Sequence, residues 1–98
     1  MMDARYLQDA KRYTASTIGL LRNVPQQRPD PVAQRDTVQN IGVIQSRLDH
    51  LDPQLRDALK RPLEQALVAA QSSQLGLALA HLEKVRDLLD GSDHPLPH

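Results

Sequence analysis

The chain has 98 residues, 24% of them charged, and its 12 basic and 12 acidic side chains cancel to zero net charge. That is one domain's worth of sequence; it buries roughly two-thirds of its unfolded surface, enough for a core with a thin stability margin. The absence of Cys excludes a disulfide framework, thiolate chemistry and any Cys-based metal site.

Phe and Trp are also absent, and Tyr6 and Tyr13 are the only aromatics. Few β-branched and many straight-chain residues favour helix over strand, so the fold class expected is all-α. The N-terminus shows no long apolar run behind a basic start. We therefore expect no signal peptide, no membrane segment and a cytoplasmic protein. Charge is uneven along the chain. Residues 1–31 carry five bases and three acids, residues 32–61 five and four, and residues 62–98 two and five. Bases stay interleaved with acids throughout, unlike the dense basic stripe that neutralises phosphates.

The first helix is expected over about 3–23, capped by Asp3 and stopped before Pro25. Its seam is read through Tyr6, Ala10, Tyr13, Thr17, Leu20 and Val24, alternating spacings of four and three. A proline-rich loop, "VPQQRPDP", follows. The second helix, about 31–50, starts at Asp30 as cap with Pro31 in the first helical position, where a missing N–H costs nothing. Thr37, Ile41, Ile44, Leu48 and Leu51 repeat the same spacing. Gly19 and Gly42 lie inside these helices, and the expected compensation for their cost is close helix–helix approach.

Asp52 and Pro53 repeat the cap-and-proline start for a third helix, about 53–71, with Leu55, Ala58, Leu59, Leu63, Ala66, Leu67 and Ala70 as its apolar positions. Pro62 falls inside that pattern. A mid-helix proline removes one hydrogen bond and costs about 3 kcal/mol unless the helix bends, so a kink is expected near Pro62. From Ala66 to Leu82 there is no Asp, Glu, Lys or Arg. A single helix through "QSSQ" would put Gln74 on the apolar seam, so a hairpin is expected. Ser72 or Ser73 would cap a fourth helix over about 74–90, and Gly91 would close it in the left-handed conformation. The expected organisation is one antiparallel four-helix domain over 1–91, joined by short connections, with a flexible tail over 92–98.

The stretch "SSQLGLALAHLEKVRDLLDG" resembles part of a tetratricopeptide hairpin in the spacing of Ala78, Leu82 and Val85. Ala66 and Ala69 stand where that family places larger residues or glycine, and no second copy follows. The chain is therefore not assigned to the family.

Chemistry-bearing constellations are few. A bundle metal site wants Glu-x-x-His pairs, yet Glu64 and Glu83 are the only glutamates and Ala78 precedes His81 by three. His81 reads as a boundary residue, His50 as a favourable cation near a helix end, and His94 and His98 as a weak pair in the tail. No phosphate loop or nucleophile–base pair is present. No enzyme activity, cofactor or metal is expected.

The function expected is a protein–protein interaction module: a small adaptor, chaperone-like or regulatory subunit that binds another protein or itself, with a dimer favoured. Leu75, Leu77, Leu79 and Leu82 cannot all face one groove, because i and i+2 point apart on a helix. Some should reach the surface and serve as anchors, with Tyr6 and Tyr13, seven apart on one face of helix one, as a second edge. The alternative is a small nucleic-acid-binding regulator using Arg5, Lys11, Arg12 and Arg22. A further alternative is an inhibitor or immunity-type protein.

Overall fold

The computed structural model describes residues 4–24 and 30–93. Four helices follow in order: α1 (Ala4–Arg22), α2 (Pro31–Ser46), α3 (Pro53–Gln71) and α4 (Leu75–Asp93), with a 3₁₀ turn at Leu48–His50. Each helix packs on its sequence neighbours and α4 returns to α1, leaving α1 and α3, and α2 and α4, diagonal. Cross-contacts set the directions. Asn40 of α2 meets Thr17 of α1 and Arg47, just past the end of α2, meets Asp9 of α1, while Arg22 meets Glu83 between α1 and α4. Every adjacent pair is antiparallel, giving an all-α up-down-up-down bundle.

The predicted starts of α2 and α3 are present. Asp30 accepts from the Ala33 N–H at 3.0 Å, and Asp52 accepts from the Gln54 N–H at 3.1 Å, each followed by proline in the first turn. These acceptors satisfy N–H groups that have no partner within the helix. α3 runs unbroken through Pro62, whose ring is buried. The carbonyl deprived of its donor belongs to Ala58, an exposed residue, where solvent can replace the lost N–H.

Several boundaries differ from expectation. α2 ends at Ser46, and the chain tightens into the 3₁₀ turn where a helix to His50 was expected. Pro53 holds Asp52 extended (φ −52°, ψ 135°), so the chain must leave the helix early. Ser72 and Ser73 do not cap α4. They close α3: the Ser73 N–H donates to the Ala70 carbonyl at 3.1 Å and the Gln74 N–H to the Ala69 carbonyl at 2.8 Å. Ser73 sits in the left-handed region at φ 61°. This double bond pattern is a Schellman closure, with serine in the position usually held by glycine. Gly91 takes no left-handed conformation, and α4 continues through it to Asp93. The Asp3 cap, the loop at 25–29 and the tail residues 94–98 lie outside the described residues.

The core follows from the seams. α2 buries Ala33, Thr37, Ile41 and Ile44, continued by Leu48 and Leu51; α3 buries Leu55, Leu59, Leu63, Ala66, Ala69 and Ala70; α4 buries Ala78, Leu82, Val85 and Leu89. In α1 the buried track is Leu7, Ala10, Thr14, Thr17 and Leu21, continued past the helix by Val24, with Ile18 beside it. The expected seam is thus rotated by one residue. Tyr6, Tyr13 and Leu20 are half-buried flanks. Thr14 can take a core position because its hydroxyl donates to the Ala10 carbonyl at 2.7 Å, and Thr17 does the same to Tyr13 at 2.6 Å. Their methyl groups then face the interior with no unsatisfied polar atom. Gly19 and Gly42 are not sites of close approach: both are exposed, and a Cβ on either would meet nothing within 4 Å. No helix of the described residues is long and apolar enough to cross a membrane.

Candidate protein interface

Most of the uncharged stretch from Ala66 to Leu82 is accounted for by the bundle itself. Leu82 is 0% exposed and lies wholly in the core, so it is not the surface anchor expected of it. Leu75 and Leu79 are half-buried and pack against the core from its edge. Leu77 points the other way, at 49% exposed. The i, i+2 argument therefore holds for one leucine of the four.

Sequence reasoning missed its companion. Val68 on α3 is 55% exposed, and with Leu77 it lines an open groove of about 420 Å³ between α3 and α4. Ala69 forms the floor; Arg61, Glu64, Gln65, Gln74 and His81 form the rest of the wall. The geometry follows from the hairpin: the Schellman turn sets α4 antiparallel to α3, which brings residues 65–69 level with 77–81. The signal for Val68 was available. The seam Leu59, Leu63, Ala66 and Ala70 leaves positions 61, 65 and 68 on the opposite side of α3, and Val68 is the large apolar residue among them. His81 is half-buried on the groove's edge, the boundary position expected for it.

Arg61 and Glu64 are exposed and make no ion pair among the described residues. Their neighbours one turn away are paired, Asp57 with Arg56 at 3.3 Å and with Lys60 at 3.9 Å. The groove thus presents two apolar side chains beside one cation and one anion that have no ion-pair partner among the described residues.

The tyrosine edge is partly occupied. The Tyr6 ring stacks on His50, centroids 3.9 Å apart and planes within 10°. Arg47 approaches Asp9 at 3.9 Å on the same end of the bundle. These contacts tie the start of α1 to the corner between α2 and α3. His50 therefore holds this corner through its ring. Tyr13 is half-buried against the core, one flank of the α1 seam.

The basic residues of α1 do not gather. Arg22 pairs with Glu83 at 3.2 Å, and Asp9 sits between Arg5 and Arg12 in sequence. Among the described residues no three His, Asp or Glu side chains come together to hold a metal ion. Compared with the known protein families, with curated proteins and with solved structures, the chain shows no significant match to any of them.

Proposed function

We propose that this protein is a non-enzymatic interaction module, a small adaptor or regulatory subunit of the cytoplasm, whose docking surface is the outer face of the α3–α4 hairpin. One observation carries the reading. Of the three large apolar side chains most exposed among the described residues, Val68 and Leu77 line the same groove, while Val32 stands elsewhere on α2. Scattered apolar residues on a surface are ordinary, but two on adjoining helices with polar residues around them have the form of an interface core and rim.

The test is a photoreactive amino acid at position 77 or 68, with Ser16 on exposed α1 as the control, irradiated in the native host. Discrete crosslinked products from 77 and 68 but not from 16 are expected. No product above the Ser16 background would remove the reading.

A further inference from the structure

We infer that the partner is a second copy of this chain, with α3 lying antiparallel on α3 of the second copy about a two-fold axis level with Leu63. This rests on the interaction reading above and names its occupant.

Gln54, Ala58, Arg61, Gln65 and Val68 of α3 are all exposed and follow spacings of four, three, four and three. That spacing keeps them on one line along the helix, as in the seam of paired helices. In an isologous pair each residue meets its mirror position about the axis, and the same patch must complement itself. Centred at residue 63, the stripe does so. Val68 falls opposite Ala58 of the second copy, a large apolar side chain against a small one. Arg61 falls opposite Gln65 and beside Glu64 of the second copy, so the two charges that have no ion-pair partner among the described residues each gain one of opposite sign. The two-fold operation makes every one of these contacts twice. Leu77, level with Val68 on α4, widens the apolar contact at both ends.

Other placements fit less well. A two-fold axis along the helices would stack α3 on α4 of the second copy. The register that sets 65–69 level with 77–81 brings Arg61 within one residue of the level of Lys84, so that arrangement sets cation near cation, which is unfavourable across an interface. The contact runs along one helix of each copy, shorter than the interfaces of obligate dimers. The dimer is expected to be weak, with a dissociation constant on the order of 10–100 μM.

The experiment is a charge exchange on the full chain, read by light scattering or sedimentation up to about 1 mM at low salt. Wild type is expected to dimerise. Arg61→Glu places four carboxylates at the axis and Glu64→Arg places four guanidiniums there, so each alone is expected to weaken the dimer by about tenfold or more. Mixed one to one, the two variants complement each other as a heterodimer. The double variant Arg61→Glu/Glu64→Arg is complementary with itself. Both are expected to recover within about threefold of wild type. Because all these positions are exposed, thermal melts should be nearly unchanged, and recovery in the double variant excludes misfolding as the cause of loss. A wild type still monomeric at 1 mM, or a dimer that ignores both single exchanges, overturns the inference. Crosslinks from position 77 to a different protein, with none to a second copy, would overturn it too and leave the interaction reading standing.

Discussion

The α1–α2 half of the bundle buries Thr14, Thr17 and Thr37, and Asn40 donates to the Thr17 hydroxyl across the pair at 3.1 Å. The α3–α4 half buries no polar side chain among the described residues; its interior is leucine, valine, alanine and the Pro62 ring, with Ala66, Ala69, Ala70 and Ala78 all essentially inaccessible. Alanine costs no side-chain entropy and lets two helix backbones approach, and the α3–α4 contact is the most extensive in the molecule. Threonine brings a hydroxyl that must be satisfied inside. Thr14 and Thr17 satisfy theirs on their own helix, whereas the Thr37 hydroxyl is buried with no hydrogen-bond partner among the described residues. The two halves therefore depend on different forces, and substitutions should separate them.

The largest effect is expected within α4 itself. Leu82→Ala removes a fully buried side chain and should lower unfolding free energy by about 2–5 kcal/mol. Leu77→Lys, five residues earlier on the outward face, should stay within about 0.5 kcal/mol. Urea denaturation of both variants checks the pair. Equal losses would mean that Leu77 belongs to the core and that the outer face is no docking surface.

A smaller effect should distinguish the buried threonines. Thr37→Val replaces an unpartnered hydroxyl with a methyl group and should raise stability by about 1 kcal/mol. Thr17→Val takes the acceptor from Asn40 and should lower it by a similar amount. Chemical denaturation should give opposite signs; matching signs would show that polar burial in this half is not governed by local satisfaction.

The smallest effect concerns the turn that defines the α3–α4 half. Ser73→Gly relieves a left-handed serine and should gain about 0.5–1 kcal/mol, seen as a few degrees in the melting temperature. A loss would indicate that the serine side chain, and not the backbone conformation, holds the turn.

Much of this fold is legible in the residues. The Asp-Pro starts at Asp30 and Asp52 are short-range signals that depend only on adjacent atoms, and both operate as read. The hairpin at "QSSQ" is legible because a straight helix would bury Gln74. The α1 seam is harder. Two tracks, through Tyr6, Tyr13 and Leu20 or through Leu7, Thr14 and Leu21, share Ala10, Thr17 and Val24 and differ by one step around the helix. Hydropathy favours the first because it scores Thr14 as polar, whereas the helix itself absorbs that hydroxyl. The candidate site was legible only in part. An uncharged run marks burial as readily as an interface, and Leu75, Leu79 and Leu82 went mostly to burial. Leu77 is separated from them by its angle around α4. Val68 is found only once the buried face of α3 is fixed. The glycines at 19 and 42 show the limit of inferring contact from residue type, since neither meets a neighbour.

The ring order of the helices has a kinetic side. Three of the four adjacent pairs are joined by a short stretch of chain, but α1 and α4 are separated by everything from residue 23 to residue 74. For an unstructured chain, closing a loop of some fifty residues instead of the three between α3 and α4 costs on the order of 2–3 kcal/mol more in entropy. The α3–α4 hairpin, built on local contacts, is the natural place for folding to begin. The seam between α1 and α4, with Arg22 and Glu83 on its rim, is expected to close last.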